Sequence, residues 1–302
     1  MWFKNLQLYR LTEEFKLDAE QLHEKLQQRI TKSVQGLDTF SLGWDKPLGR
    51  EGQLLTHAVN NCIMVCMRRE ERLLPASVVR EVLEEKVAEI EAAESRTVGR
   101  KEKQQLKDEI TITLLPKAFT RSSRTFAYID LSSQWVLVDT PSAKKAEDVL
   151  SLMRETLGSF KVKPFEVNQA PMAILTDWLK RQPPTDFALQ DECELRDTLE
   201  DGGIVRLRRH GMAGTEIEAH LDAGKMVTRL AVEWEEKIAC VLCDDVTIKR
   251  LKFLGVLQDE SGEAEAESFA EQFDVDFAIM SLELRKLVER MVTLFGGLNQ
   301  EV

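Results

Sequence analysis

Leu115-Pro116-Lys117-Ala118-Phe119-Thr120-Arg121-Ser122-Ser123-Arg124 joins two regions of different pattern. Behind it lies a long charged helical region. Ahead of it come residues 125–130 and 135–139, the clearest strand pair in the chain. The stretch carries three cations, several hydroxyls, one aromatic ring and no acid. That is the composition of a phosphate-contacting loop, because backbone amides, hydroxyls and Lys or Arg side chains hold a protein on a nucleic-acid backbone without reading its sequence. A solvated basic connector has the same composition, so both readings stand on this stretch alone.

Upstream, the apolar period changes from two to nearly four after Pro75. Ser77 is placed to cap a helix carrying Val78, Val79, Val82, Leu83, Val87 and Ile90, and Gly99 interrupts it. A second helix follows with Leu106, Ile110 and Leu114 on one face, and Pro116 ends it. Both are rich in charge and poor in aromatics, so the pair reads as a hairpin projecting from a body. A coiled-coil partner site stays open as an alternative, although the apolar repeat covers too few heptads to argue for it strongly. Further back, residues 3–11 alternate as a strand. Asp18 caps a helix to about residue 32 with Leu22, Leu26 and Ile30 on one stripe. Residues 36–52, rich in glycine and turn formers, read as a connecting loop, and 54–59 with 62–68 as a hairpin about Asn60-Asn61.

Downstream, Ser142 and Gly158 bracket a helix whose stripe is Ala146, Val149, Leu150, Met153 and Leu157. An extended piece at 160–167 and a helix at 171–181 lead to Pro183-Pro184, a candidate boundary. Beyond it, 187–196, 204–210, 226–234, 237–243 and 247–254 read as extended, with a short helix at 215–223. Residues 258–268 read as a linker, followed by helices at 269–273 and 277–295. In the last of these Ile279, Leu282, Lys286, Leu287, Met291 and Leu294 have core spacing. The fold class expected is α+β. The domains expected are 1–75 and 116–182 as two parts of a central antiparallel-sheet body, 76–115 as the helical hairpin, and 183–302 as a sheet-rich segment with C-terminal helices.

At 302 residues and 43% apolar content the chain can bury a sizeable core. A net charge of -11 argues against a generally basic, nucleic-acid-coating protein. The charge is segregated, however. Residues 96–125 hold eight Lys/Arg against three Asp/Glu, and residues 255–302 hold three against eleven, so a local positive surface is compatible with an acidic whole. Further cationic clusters are Arg206, Arg208 and Arg209, and Lys249-Arg250-Leu251-Lys252. Neither a signal-peptide core nor a membrane-length apolar run is found, which predicts a cytoplasmic protein with no membrane partner.

Several chemistries find no support. There is no phosphate-binding G-x-x-x-x-G-K-[ST] or G-x-G-x-x-G motif. His23, His57, His210 and His220 lack ligand spacing, so neither metal nor cofactor is expected. Cys240 and Cys243 look like half of a redox or zinc motif, but they lie three apart in an apolar strand, on opposite faces, and read as buried thiols. Asp244-Asp245, or Asp130 with Asp139, could hold magnesium as a nuclease would. Strand-end acids that merely end a hairpin are commoner, and no catalytic residue is assigned.

Five blocks, in order and spread nearly end to end, carry a resemblance. They are Trp2-Phe3-Lys4-Asn5-Leu6, Leu114-Leu115-Pro116-Lys117-Ala118-Phe119, Ser142-Ala143-Lys144-Lys145-Ala146-Glu147-Asp148, Leu199-Glu200-Asp201-Gly202-Gly203 and Cys243-Asp244-Asp245. Together with the length they resemble the bacterial recombination-associated RdgC family. The resemblance implies a non-enzymatic, nucleoid-associated protein that binds duplex DNA with little sequence preference and limits access of the RecA recombinase. It also implies a central α+β body with a helical tip and a base, closed as a homodimeric ring around the DNA. Lys117, Arg121, Arg124, Arg208 and Arg209, supported by Lys101, Lys103 and Lys144, are then the expected phosphate contacts. Phe119 has two readings, core residue or exposed anchor of a dimer contact. The resemblance favours the anchor, with Arg209 and His210 as its counterpart. Two rivals remain at this point: a regulatory protein meeting a recombination partner through its acidic C-terminal third, and a magnesium nuclease using Asp244 and Asp245.

Overall fold

The computed structural model describes residues 1–198, 202–209, 211–212, 214–263 and 266–299. In chain order the strands and α-helices are β1 (Gln7–Leu11), α1 (Ala19–Leu26), β2 (Phe40–Asp45), β3 (Thr56–Val59), β4 (Cys62–Leu73), α2 (Ala76–Glu94), α3 (Arg100–Leu114), β5 (Phe119–Asp130), β6 (Trp135–Val138) and α4 (Ala143–Leu157). They continue with β7 (Val162–Pro164), α5 (Pro171–Lys180), β8 (Phe187–Arg196), β9 (Ile204–Arg208), α6 (Thr215–Asp222), β10 (Met226–Trp234), β11 (Ile238–Cys243), β12 (Ile248–Phe253), α7 (Gly255–Glu263) and α8 (Phe269–Leu294). The fold is α+β with antiparallel sheets. It forms two compact units, the first comprising Met1–Lys25, Lys46–Cys66 and Thr125–Val302, the second Leu26–Asp45 and Met67–Arg124. Pro183-Pro184 falls inside the first.

In the first unit β6 lies between β5 and β1, and β1 pairs onward with β7, all antiparallel. The β3–β4 hairpin turns on Asn60 and Asn61 at φ 51° and 61°. Asparagine tolerates that left-handed pair, which matches the right-handed strand twist. A second sheet has the order β12-β11-β10-β8-β9. Its inner face joins the same core as α8: Leu195, Leu230, Val232, Cys240 and Leu242 are in one cluster with Phe277, Met280, Leu284, Leu287 and Met291. Helix α4 follows its local signals, with Ser142 Oγ accepting from the Lys145 amide at 3.4 Å and Gly158 ending the helix at φ 78°.

In the second unit β2 and the continuations of β4 and β5 carry α2 and α3, which pack on each other. Arg72 donates to the carbonyls of Leu115 (2.8 Å), Asp38 (3.1 Å), Gly36 (3.2 Å) and Val34 (3.4 Å), so one guanidinium ties the end of α3 to the 34–38 turn. Gly43 leaves no room for a side chain. A Cβ there would lie 2.5 Å from the backbone N and Cα of Thr31. Gly43→Ala is therefore expected to destabilise by about 1–3 kcal/mol, as overpacking does. A lower denaturant midpoint would show it, and an unchanged one would mean that the 30–31 backbone gives way.

The structure corrects several expectations. Residues 36–52 are not all loop, since Phe40–Asp45 is β2, held by the Thr31 amide on the Trp44 carbonyl at 3.0 Å. Residues 119–124 are the exposed beginning of β5 and not a loop, because β4 supplies a neighbouring strand. Strand β1 begins at Gln7; the Lys4 and Asn5 amides instead donate to Asp139 Oδ1, each at 2.9 Å. Asp18 caps α1 as expected, but that helix ends at Leu26 before a 3-10 turn, which leaves Ile30 exposed. Ser77 caps nothing: the Pro75 carbonyl accepts the first amides of α2. Residues 258–263 belong to α7, and 269–294 form one helix with no break at 274–276, with Leu282 exposed on it.

Candidate nucleic-acid interface

In the second unit, Lys101 and Lys103 lie in the first turn of α3 and Lys117 ends the 3-10 turn Leu115–Lys117. All three are exposed and pair with no acid among the described residues. Arg121 and Arg124 stand on β5, where strand alternation sends them to opposite faces. Both are exposed, yet both are engaged: Arg121 donates to Glu71 at 2.6 Å and Arg124 to Asp45 at 2.9 Å. The Arg121 hydrogen bond holds the Glu71 carboxyl below its ordinary range. Phe119 is 86% exposed at the start of β5, which removes the core reading within this chain. Nearby, the Arg69 guanidinium sits 4.0 Å from the centroid of the exposed Phe40 ring, a cation–π contact absent from the expectations.

In the first unit Lys144 lies in the first turn of α4, exposed and without an acid partner among the described residues. Arg208 ends β9, and Arg209 follows at φ 54°, exposed. His210 lies outside the described residues. Arg208 is not free: it stands opposite Glu192 of β8, with Nε 3.4 Å from a carboxylate oxygen. Its strand neighbour Arg206 stands opposite Glu194 and donates to it at 2.7 Å. Burial pushes the Glu194 carboxyl up, but Arg206, Arg229 and the Thr228 hydroxyl outweigh it and hold the group below its usual range. Glu192 is likewise lowered, first by its hydrogen bonds from Arg250 at 2.5 and 2.6 Å. Sequence reading missed these acid partners. The signal available was parity, since two acids spaced by two on β8 must face two arginines spaced by two on an antiparallel neighbour.

The acids considered for metal-assisted cleavage are occupied by the fold. Asp130 accepts from Arg285 Nε at 2.6 Å and from the Ser132 amide at 2.9 Å. Asp139 is pushed up by burial while accepting two amides. Asp244 is also raised, by burial and then by Asp245 beside it, and Asp245 accepts the Thr247 amide at 3.0 Å. Among the described residues no three His, Cys, Asp or Glu side chains gather to hold a metal ion. All five cysteines are buried and outside any disulfide. Cys240 faces the main core and Cys243 the opposite side with Ala231 and Val241, as the three-residue spacing requires. Burial pushes their thiols to about 12 and about 11. Native protein at pH 8 should therefore react only slowly with a thiol-disulfide reagent, and five thiols should appear on denaturation; rapid native labelling would contradict this burial.

Fold and surface define an α+β protein with antiparallel sheets that presents arginine and lysine side chains to solvent although the chain as a whole carries a net charge of -11. Among the described residues no helix is long and apolar enough to cross a membrane. The chain belongs to the RdgC family: the family model described as "Putative exonuclease, RdgC" matches residues 1–298. It is similar to the protein named "Recombination-associated protein RdgC" of Tolumonas auensis, 44% identical over 302 residues that cover the whole of both chains. The proteins of the same name from Proteus mirabilis and Yersinia pestis are each 40% identical over 298 residues. Those alignments cover 98% of this chain in both cases and 99% and 98% of theirs, respectively.

Proposed function

We propose that the protein binds double-stranded DNA without sequence preference and without cleaving it. It does so as a homodimeric ring around the duplex, in the nucleoid, and thereby limits access of the RecA recombinase. The observation that carries this reading is the full-length similarity to proteins whose name places them with recombination. Two features of the chain support it. Exposed Lys101, Lys103, Lys117 and Lys144, with Arg121, Arg124, Arg208 and Arg209, are the groups that neutralise phosphates and release counterions. Phe119, a large apolar ring exposed on a strand, is suited to anchor a contact with a second copy. None of the cations needs a base edge for its contact, so binding should be uniform over sequence.

The test is fluorescence anisotropy with two duplexes of equal length and unrelated sequence, followed by incubation with magnesium. Equal affinities and intact DNA are expected. A strong preference for one duplex, or shortened products, would overturn the reading. For the dimer contact, Phe119→Ala should leave the melting temperature unchanged, since so exposed a ring contributes little to the monomer. It should shift sedimentation towards the monomer. A sharply lowered melting temperature with unchanged association would contradict the assignment.

A further inference from the structure

The outer face of the second sheet presents an organised cationic lattice. Cross-strand pairing places Arg206 and Arg208 (β9), Glu192 and Glu194 (β8), Arg229 (β10), Lys249 (β12) and the outward Val241 (β11) on one side. Arg250 joins them from a bulged, left-handed position at φ 51°. Beneath lies a small apolar floor of Ala231, Val241 and Cys243. Glu233, farther along β10, completes the face and accepts from Gln190 at 3.2 Å. By the same registers Lys252, opposite Ala239, and Arg196, two residues on from Glu194, share this side, so seven cations are named on it against three carboxylates. The guanidiniums of Arg206, Arg208, Arg229 and Arg250 keep side-chain exposures of 42–67%.

The two central acids are held differently. Glu194 has a side chain only 5% exposed and is clasped by Arg206 at 2.7 Å, Arg229 at 3.4 Å and the Thr228 hydroxyl at 3.1 Å. It is an anchor. Glu192 is 22% exposed and takes the Arg250 fork with both oxygens, with Arg208 alongside. A carboxylate in a bidentate guanidinium fork occupies the position that a phosphate takes with the same geometry.

The geometry points to Glu192 as an internal competitor for phosphate: it holds Arg250 and Arg208 in place on a second phosphodiester-binding surface, whose further contacts are Arg206 and Arg229, and a DNA backbone must displace it to bind there. This rests on the duplex-binding reading above, which already counts Arg208, and adds to it Arg250, Arg206 and Arg229 on one sheet face and a residue that limits affinity there. Phosphodiester is the favoured occupant because net positive charge, planar forks and a flat, open sheet face match an extended polyanion, with no deep pocket needed.

The test uses the full chain and a labelled random-sequence duplex, comparing Glu192→Gln with wild type across a salt series. Removing one competing charge should raise affinity several-fold and steepen the plot of log affinity against log salt by about one. Arg250→Gln in the wild-type background should lower affinity; it carries the test alone if Glu192→Gln melts early. If wild type binds but both variants keep its affinity and slope, the second surface is overturned while the duplex-binding reading stands. If wild type does not bind, that reading fails first. A labelled polyglutamate peptide retained more strongly by Glu192→Gln, with duplex affinity unchanged, would assign the face to an acidic protein segment and overturn the proposal.

Discussion

Replacing Arg285 by Ala is expected to lower the stability of the chain by about 3–5 kcal/mol, the loss that follows when one partner of a buried ion pair is removed. Asp130 is 1% exposed, and Arg285 reaches it from α8 with Nε at 2.6 Å and Nη2 at 3.0 Å. The same guanidinium lies 3.5 Å from the Asn60 carbonyl and from Cys62 Sγ, so it ties the β3–β4 turn and the end of β5 to the long helix. Its loss leaves the buried carboxylate without its fork, and among the described residues the Ser132 and Ser133 amides are the donors that remain. Asp130→Asn with Arg285→Ala together should recover part of the loss, because the stranded charge is then gone. Guanidinium chloride unfolding measures both. A loss below about 1 kcal/mol for Arg285→Ala would mean that the pair behaves as a surface bridge.

Replacing Lys101, Lys103 and Lys117 together by Gln is expected to weaken duplex binding about a hundredfold at 0.1 M salt, with the salt slope flattened by roughly 2.7, since each phosphate contact contributes about 0.9 to it. These three are chosen because the structure shows them exposed and without acid partners, so their removal leaves no stranded carboxylate and the melting temperature should hold. Arg121 and Arg124 make the contrasting case. Each gives up a carboxylate, Glu71 or Asp45, before it can take a phosphate, so replacing either should cost less affinity than replacing a free lysine. A triple variant with wild-type affinity and slope would remove these lysines from the interface.

What the sequence revealed depended on how local the cause was. Helix α4 was legible because Ser142 and Gly158 act within one turn of its ends. The β3–β4 hairpin was legible because Asn60 and Asn61 make their own turn. Strand β2 was hidden among glycines and turn formers, since what makes it a strand is the backbone of Thr31 and a neighbouring strand. The start of β5 was hidden because residues 120–124 are polar on both faces and show no alternation. Helix α8 was divided at Asp274–Asp276 because an acid in the stripe looks like a break. Asp276 is in fact buried, taking the N-terminal amine of Met1, the Ser261 hydroxyl at 2.6 Å and the Gln272 amide at 3.0 Å. Candidate cations could be named from composition alone. Which were free and which already held by an acid needed the strand register, as Glu192 and Glu194 show.

The central claim is that binding is phosphate-directed and blind to sequence. It is tested most directly by the equilibrium affinity of the wild-type chain for unrelated duplexes over a salt series. The account predicts log affinity falling linearly and steeply with log salt, on one common line for every sequence. Affinity that ignores salt, or slopes that separate by sequence, would contradict it.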